Sequence, residues 1–333
     1  MKRHLRIGFT YDVKEDYNFH TAEWKHSDFS TLAEVSYVKL LLERKGHEVI
    51  LIGNYEKLYQ ALKDGTFPEV DIVLNTAEGI NSRNREGWIP SLLEINHIPY
   101  SGSDAYGLGL TLSKSHTKII AEHLGIPTPS FYEINSGPDA EKAAIMLKGP
   151  WILKPNYEGS SSGVRFVRDP EELKTAAEQL LAEYNQTILC ESYIGGAEFN
   201  VSLLYDGEKT KSIGVVEIVR KDGRPLDVFD VVDKFTSTCT KIPAKLPEPL
   251  YNKLCSDTIK IHKYIGCLDY NRADYRIDEN GNYYLLELNP LPSIDDESGF
   301  AKCCEYNGIK LADALEQVVF NALKRWENKQ YLY

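Results

Sequence analysis

One short stretch of the chain combines a lysine with glycines and serines in a way that suits anion binding. An apolar run at residues 151–154 ends at Lys154, and Gly159-Ser-Ser-Ser-Gly163 follows shortly afterwards. Glycines let backbone N–H groups approach an anion closely, serine hydroxyls add donors, and the lysine adds a positive charge. The composition therefore favours a phosphate-binding turn at the end of a strand.

The same stretch allows two other interpretations. It matches the G-x-S-x-G pattern of serine hydrolases, with Ser161 as nucleophile, and it could equally be a surface hairpin. A hydrolase serine is followed by a helix and by a later histidine, but here a strand is predicted at 164–167. The only later histidine in the sequence is His262, which the pattern of residues 256–265 predicts on a helix surface. A hydrolase is therefore disfavoured, whereas the hairpin remains open.

A second group of polar residues falls on two strands joined by an Asn-Gly turn, a signature of tight hairpins. Because side chains alternate along a strand, Arg272, Asp274 and Arg276 share one face of the first strand. Glu287 and Asn289 share one face of the second. Strand pairing would bring Asp274, Glu287 and Asn289 together as oxygen ligands for Mg²⁺. Arg272 beside them would stabilise developing negative charge.

A plain structural explanation exists for this hairpin as well. An exposed strand face carrying an ion pair has the same polar residues, with Tyr284, Leu286 and Leu288 on its core side. What favours chemistry is the presence of both hairpins in one chain, because nucleotide-dependent phosphoryl transfer needs phosphate donors and metal ligands together. The sequence has neither the Walker motif nor the H-E-x-x-H zinc motif.

Hydrophobic periodicity predicts the elements that must position these residues. Strands at 5–9, 48–52 and 71–75 alternate with helices at 30–45 and 89–95, which indicates a parallel sheet. Ser113 is predicted to cap a helix that ends at Gly125. Strands at 131–134, 151–154 and 164–167, with a helix that begins at Asp169-Pro170, predict a small α+β unit. Long antiparallel strands follow, with helices near 250–265 and 310–326.

Size and composition narrow the possible functions. A chain of 333 residues, 42% hydrophobic and 26% charged, is ordinary for a globular protein of two or three domains. The net charge of −11 argues against a general nucleic-acid binder. No apolar run is long enough for a signal peptide or a membrane-spanning helix, so we expect a cytoplasmic protein without membrane or nucleic-acid partners. The six cysteines show no C-x-x-C spacing, which suits reduced thiols.

Taken in order, these segments resemble the ATP-grasp superfamily, and within it the D-alanine:D-alanine ligases. The matching fragments lie at 75–79, 83–86, 98–103, 113–114, 125–129, 154–155, 158–161, 191–198, 272–274 and 287–290. The resemblance implies an α/β, three-domain ATP-grasp fold. It has an N-terminal parallel α/β domain at 1–110, a small α+β central domain at 111–190 and a C-terminal antiparallel-sheet domain at 191–333. It also implies an enzyme that uses ATP to convert a carboxylate to an acyl phosphate, which an amine then attacks.

The resemblance further implies ATP and two Mg²⁺ or Mn²⁺ ions as cofactors, and it assigns their residues. Those implied to bind ATP are Lys114, Lys154, Glu158, Gly159, Ser160, Ser161, Glu191, Ile194 and Glu198. Glu191 and Glu198 fall where the family contacts adenine and ribose, and a solvated strand edge is the alternative for both. The implied metal ligands are Asp274, Glu287 and Asn289. The implied catalytic residues are Arg272, Lys234 and Ser160.

The chain departs from the family pattern around the amino-acid substrates. The N-terminal Gly-Gly-x-Ser-x-Glu stretch, whose glutamate holds the first substrate's ammonium, is missing. Phe235, Ser293 and Ser298 fall at substrate positions, and Phe235 and Ser293 replace a tyrosine and a glycine. Gly299 replaces a leucine, which would leave room for roughly four carbons. These changes predict a second substrate that is bulkier than D-alanine or is a hydroxy acid. Compensation by neighbouring residues that restores an ordinary D-alanine pocket is the alternative. A nucleotide-binding module without turnover is the other alternative, and a homodimer is a further expectation.

Overall fold

The described residues form three β-sheets that follow one another along the chain. The computed structural model describes residues 3–17, 29–223 and 238–328. Lys234 and Phe235, to which the resemblance gives roles, lie outside these ranges. Within them, no helix is long and apolar enough to cross a membrane.

The first sheet is parallel, as the alternating pattern predicts. It contains β1 (Arg6–Thr10), β2 (Glu48–Gly53) and β3 (Ile72–Asn75) in the order β2-β1-β3. The helices around it are α1 (Leu32–Arg44), α2 (Tyr55–Lys63) and α3 (Trp88–Ile95). A capping box between Thr31 and Glu34 begins α1, and Gly46 follows its end with a left-handed φ of +96°.

The second sheet is antiparallel and carries the glycine-serine stretch. Two helices lead into it, α4 (Ala105–Leu112) and α5 (Lys114–His123). The strands are β4 (Phe131–Ile134), β5 (Trp151–Pro155), β6 (Arg165–Val167) and β7 (Ile188–Ser192), in the order β4-β7-β5-β6. Its helices are α6 (Gly137–Met146) and α7 (Pro170–Tyr184). Because β5 pairs antiparallel with β6, residues 156–164 are the connection of a hairpin.

The third sheet is also antiparallel and carries the polar strands. It contains β8 (Ala197–Tyr205), β9 (Thr210–Arg220), β10 (Cys239–Pro243), β11 (Tyr270–Ile277) and β12 (Tyr283–Asn289). Their order is β10-β9-β8-β11-β12. Helix α8 (Glu248–Ile265) lies between β10 and β11 in the chain, and α9 (Gly299–Tyr306) and α10 (Leu311–Glu327) follow β12.

Two helices pack against sheets that are distant from them in the chain. Leu315 of α10 belongs to the same hydrophobic core as Ile7 of the first sheet. Ala121 of α5 belongs to the same core as Leu285 and Leu288 of the third sheet. The sheets agree with the predicted three-domain α/β fold. Because these two helices pack across the divisions near residues 110 and 190, the domain boundaries themselves stay a prediction.

Candidate active site

An open cleft lies between the second and third sheets, with the start of α5 in its wall, and its space is about 780 Å³ when the open solvent at its mouth is included. The residues that line it are Lys114, Pro129, Ile152, Lys154, Pro155, Glu158, Gly159, Ser161, Ser162, Val164, Glu191, Ser192, Tyr193, Ile194, Glu198, Asp274, Arg276, Leu286 and Glu287. The cleft therefore brings together most of the residues that sequence reasoning assigned to nucleotide and metal. Arg272 and Asn289 reach it through contacts with Asp274.

Lys114 joins the two walls of the cleft. Its ammonium donates a hydrogen bond to the backbone carbonyl of Glu158, in the loop between β5 and β6. The same ammonium lies 3.4 Å from Oε2 of Glu287 on β12. Its position is set by the first turn of α5, which packs with the third sheet. A cation placed between a loop and a carboxylate is suited to a bound phosphate.

The start of α5 is capped from the loop rather than by the predicted Ser113. Asn156, which is fully buried, accepts a hydrogen bond of 2.9 Å from the Ser115 amide through Oδ1. Its Nδ2 donates to the Ser113 hydroxyl at 3.2 Å. Ser113 itself makes no side-chain bond to the amides of the first turn. The cap therefore fixes the loop relative to Lys114.

The loop at 156–164 borders the cleft and is anchored by residues outside it. Gln186 donates to Oε1 of Glu158 at 2.7 Å, and the Ser162 hydroxyl lies 3.0 Å from that of Tyr184. Ser160 and Ser161 are both left-handed, with φ of +49° and +59°. Successive backbone N–H groups in a turn can form an anion-binding concavity. The geometry agrees with the phosphate interpretation of this stretch.

Gly163 is required where the loop rejoins the sheet. Its φ is +72°, and a Cβ at this position would lie 2.8 Å from the ring of Pro155 and 2.9 Å from that of Tyr184. No other residue fits without displacing both rings.

The hydrolase interpretation finds no support in the structure. His262 is buried rather than on the helix surface as predicted. Its Nδ1 lies 3.1 Å from Nδ2 of the Asn271 side chain. Burial lowers the pKa of His262 to about 4. The histidine is therefore a neutral core residue between α8 and β11, and it is not a base for Ser161.

Lys154 and Glu191 form an ion pair in the wall of the cleft. The Lys154 ammonium lies 2.9 Å from Oε2 of Glu191, and Lys118 of α5 lies 2.6 Å from Oε1. Burial alone would raise the pKa of Glu191, but the two lysines hold it below its usual value. The carboxylate is thus ionised and shared between two ammonium groups. The implied contact of Glu191 with adenine stays a prediction, and the solvated-edge alternative is wrong because Glu191 is buried.

A second acid–base pair, Glu198 and Arg276, also lines the cleft. The two residues are opposite each other on β8 and β11, with Nη1 of Arg276 at 3.6 Å from Oε2 of Glu198. Arg276 also donates to the carbonyl of Gly196 at 2.7 Å and stands 5.4 Å from the centre of the Tyr193 ring. Burial raises the pKa of Glu198 to about 7, although Arg276 opposes this shift.

Asp274 and Glu287 are directly opposite on β11 and β12, as the hairpin pattern predicts. Arg272 donates two hydrogen bonds to Asp274, from Nε to Oδ1 at 2.8 Å and from Nη2 to Oδ2 at 2.9 Å. Asn200 of β8 donates to Oδ1 at 2.7 Å, and Asn289 donates to Oδ2 at 3.2 Å. The four predicted polar residues of the hairpin therefore form one cluster, to which β8 adds an amide.

Burial is the largest influence on both carboxylates of this cluster. It raises the pKa of Asp274, and the neighbouring charge of Glu287 adds to the rise while Arg272 opposes it. Burial alone would raise the pKa of Glu287 too, but Lys114, Lys154 and Arg272 together hold it below its usual value. Two close carboxylates resist carrying two negative charges unless cations balance them. Glu287 is consequently the more ionised member of the pair.

A bulge in β12 changes which leucines face the cleft. The pairing register shifts after Asp274, which adds one residue to β12 relative to β11. Leu285 and Leu288 are therefore buried in the core, whereas Leu286 lines the cleft. The expectation from strict alternation, with Tyr284, Leu286 and Leu288 on the core side, is wrong for Leu286.

The hydroxyls of the two predicted substrate serines both have local partners. Ser298 caps α9, where it accepts a hydrogen bond of 3.1 Å from the Ala301 amide and donates to the carbonyl of Asp295 at 2.7 Å. Ser293 donates to the carboxylate of Asp295. Contact of either serine with a substrate stays a prediction.

The extra room predicted at Gly299 is absent. A Cβ on Gly299 would lie 2.4 Å from Oδ1 of Asn200 and 3.2 Å from Cδ of Arg272. The space that a side chain would take is therefore filled by the residues that surround Asp274. Glycine is needed here so that α9 can approach the polar cluster closely.

Sequence reasoning did not assign roles to Lys118, Asn156 or Asn200. A signal existed for Lys118, because it follows Lys114 by one helical turn and so shares its helix face. Asn156 and Asn200 gave no such signal, because their partners lie on other elements.

The cleft lies between two antiparallel sheets, with lysines and a glycine-serine loop on one side and a carboxylate pair on the other. This arrangement defines the ATP-grasp class of ATP-dependent, ADP-forming ligases. The family model of the D-ala D-ala ligase C-terminus matches residues 120–320. The chain belongs to this D-alanine–D-alanine ligase family.

Individual relatives agree with this assignment. A D-alanine–D-alanine ligase of Trichlorobacter lovleyi is 31% identical over 71% of this chain and 74% of its own length. An uncharacterized protein of Sinorhizobium fredii is 28% identical over 86% of both chains. The crystal structure of the D-alanine–D-alanine ligase of Bacillus anthracis superposes with a TM-score of 0.77 at 24% identity, covering 98% of this chain and 99% of that one. At that identity, the structural match supports the fold.

Proposed function

We propose that the protein joins two small amino acids through an amide bond, with D-alanine as the first candidate for both. D-alanine–D-alanine ligase is the name carried by the Trichlorobacter and Bacillus proteins. The observation that carries the proposal is the convergence of Lys114, Lys154 and the Asp274–Glu287 pair, from four separate elements, on one cleft.

The lining of the cleft suits ATP. Ile152, Ile194 and Leu286 offer apolar surface, and Tyr193 offers an aromatic ring, which together suit a purine. The ammonium groups of the two lysines and the backbone of residues 158–163 supply positive charge and donors for phosphates. The role of Glu198 in holding the ribose belongs to this proposal.

In the proposed reaction, a carboxylate oxygen of the first amino acid attacks the γ-phosphorus of ATP. The bond from this phosphorus to the bridging oxygen breaks, and ADP leaves with the electron pair. The amine of the second amino acid, in its neutral form, then attacks the carbonyl carbon of the acyl phosphate, and its proton passes to the departing phosphate. The carbon–oxygen bond to phosphate breaks, which leaves the amide and inorganic phosphate. Arg272 would stabilise the negative charge on the carbonyl oxygen between these steps, and Lys114 and Lys154 the charge on the phosphates.

The donor set fits a divalent cation. Asp274 and Glu287 are two hard oxygen ligands that resist carrying two charges without a cation. The Asn289 Nδ2 lies within 3.4 Å of both carboxylates, and rotation of this amide would present its Oδ1 to a cation instead. No group of three His, Cys, Asp or Glu side chains in the described ranges is arranged for a metal, so the third protein ligand would be the Asn289 amide. Bound Mg²⁺ would neutralise phosphate charge and orient the γ-phosphate.

The lack of extra space beside Gly299 supports a small second substrate. Since Asn200 and Arg272 fill the space beside this glycine, the cleft gains no volume there for a bulky side chain. A homodimer stays an expectation from the resemblance.

An ADP-release screen of D- and L-amino acids, alone and in pairs and with mass detection of products, tests the proposal. We expect release that needs both Mg²⁺ and an amino acid, and D-alanyl-D-alanine as the best product. A higher kcat/KM for a bulkier pair of amino acids would instead support a second substrate bulkier than D-alanine, as the sequence predicts. ATP binding without any product would favour a module without turnover, and the absence of ATP binding in calorimetry would refute the proposal altogether.

A further inference from the structure

Lys118 is a buried lysine that pairs with Glu191, a residue of the cleft lining. Its side chain is 1% exposed. The ammonium lies 2.6 Å from Oε1 of Glu191, donates to the Thr128 hydroxyl at 2.8 Å, and stands 5.8 Å from the centre of the Phe131 ring. Complete burial of an ammonium is costly unless it is paired and hydrogen-bonded. The charge of Lys118 is therefore matched by a specific partner, Glu191.

Glu191 connects this charge to the wall of the cleft. Its other oxygen lies 2.9 Å from the ammonium of Lys154, and the carboxylate is 3% exposed. A single carboxylate between two ammonium groups cannot neutralise both. While Lys118 pairs with one oxygen of Glu191, the charge of Lys154 is only partly neutralised and remains able to attract a phosphate. Without Lys118, Glu191 would pair with Lys154 alone.

Lys118 also links the second and third sheets. It belongs to α5, which packs in the core of the third sheet, whereas Glu191 and Lys154 are on β7 and β5 of the second sheet. Thr128, which accepts from Lys118, donates in turn to the carbonyl of Leu285 on β12 at 2.7 Å. Lys118 therefore links the second sheet, through Glu191, to the third sheet, through Thr128.

We propose that Lys118 is a positioning residue of the ATP site. Its ammonium holds Glu191 in a bridging position, and Glu191 thereby directs a charged Lys154 at the phosphates. The inference rests on the proposed ATP-dependent function and names a residue that acts through two others. Loss of the Lys118 ammonium should weaken ATP binding and leave the binding of the amino-acid substrates unchanged. The effect on ATP binding should vanish when Lys154 is also replaced.

Titration of Lys118 adds a pH dependence to this expectation. The charged groups that face it are Glu191 on β7, Lys154 on β5 and Glu122 on its own helix. Burial lowers the pKa of Lys118 to about 8, an effect that Glu191 opposes and Lys154 reinforces. As the pH rises through this value, Lys118 loses its proton, Glu191 pairs with Lys154 alone, and ATP affinity falls. An arginine at this position would stay charged and remove the dependence.

The first test compares Lys118→Met with the wild type, using the Kd of ATP from calorimetry and the KM values of ATP and the amino acids. We expect ATP to bind on the order of 10-fold more weakly and the amino-acid KM to change less than about 2-fold. Lys174→Met is the matched control, because it removes an exposed ion pair with Glu141 on the second-sheet helices, with a separation of 2.8 Å. That control should leave all constants unchanged.

The second test is a double-mutant cycle with Lys154→Met. If Lys118 acts through Lys154, adding Lys118→Met to Lys154→Met should cost less than about 2-fold in ATP affinity. Fully additive losses would assign Lys118 a separate structural role and overturn the inference. So would an unchanged Kd of ATP in Lys118→Met while the wild type binds ATP. A wild type that binds no ATP would instead refute the proposed function itself.

If circular dichroism shows that Lys118→Met is not folded, Lys118→Arg tests the inference in its place. We expect its KM for ATP to be near that of the wild type at about pH 7 and to stay flat up to about pH 9, where the wild-type value rises. A rise that persists in the arginine variant, or a wild-type profile that is equally flat, would overturn the inference.

Discussion

Glu287 lies directly across the β11–β12 ladder from Asp274, yet the two carboxylates have different cations as neighbours. Arg272 holds Asp274 through two hydrogen bonds of 2.8 and 2.9 Å, whereas Lys114 lies 3.4 Å from Glu287. The arginine neighbour belongs to the third sheet and the lysine neighbour to α5. Glu287 is therefore the carboxylate that links the polar cluster to the phosphate side of the cleft.

Replacing Glu287 with glutamine should abolish turnover and preserve the fold. The change removes one charge without changing shape, so the proposed cation loses a ligand, at a cost on the order of 10³-fold in kcat. Steady-state rates over a Mg²⁺ titration, with thermal unfolding as the check on folding, measure this. Glu141→Gln, at an exposed ion pair, is the control. A near-normal rate at saturating Mg²⁺ would show that Glu287 is not a ligand.

Gly299→Ala should destabilise the protein by roughly 1–3 kcal/mol and reduce kcat, because the new Cβ would displace Asn200 from Asp274. Urea unfolding and steady-state kinetics measure the two effects. Gly109→Ala is the control, since a Cβ at Gly109 of α4 meets nothing within 4 Å. That variant should be neutral or up to about 1 kcal/mol more stable. An equally stable and active Gly299→Ala would mean that the space beside α9 is open after all.

Ser298→Ala should lower stability by about 1 kcal/mol through loss of the α9 cap. If capping is the whole role of this hydroxyl, the KM of either amino acid should not change. Unfolding curves and substrate titrations separate the two roles. A rise in the amino-acid KM at unchanged stability would assign Ser298 to the substrate, as the resemblance implies.

His262 should make the fold sensitive to acid. Burial lowers its pKa from 6.5 to about 4, so the unfolded chain takes up a proton before the folded chain does. The stabilisation is present above the unfolded value and is lost as the pH falls through the folded value. With about 1.4 kcal/mol for each pKa unit, the loss is roughly 3 kcal/mol.

Urea unfolding at neutral pH and at about pH 4 measures this loss, and His262→Gln should reduce it by most of that amount. His123→Gln replaces an exposed histidine and should leave the loss unchanged. An identical acid sensitivity in the wild type and His262→Gln would show that other groups cause it.

The sequence indicated the two hairpins because each has a local signature. Glycines and serines mark the loop after β5, and an Asn-Gly turn with alternating polar residues marks β11 and β12. Alternation was also sufficient to predict that Asp274 and Glu287 would meet, since residues on one face of paired strands become neighbours. The parallel first sheet followed from the regular alternation of strands and helices. These features depend on residues close to one another in the chain.

The tertiary structure decided what depends on distant residues. The bulge after Asp274 sends Leu286 into the cleft, and a bulge is set by how the strand packs rather than by its own pattern. Asn200 fills the space beside Gly299 from β8, so a substitution that suggested extra room instead permits close packing. Lys118 acquires its partners only when α5 joins the third sheet and faces the second. In each case, the deciding contact joins elements far apart in sequence, and the cost or gain of burial exists only once they meet.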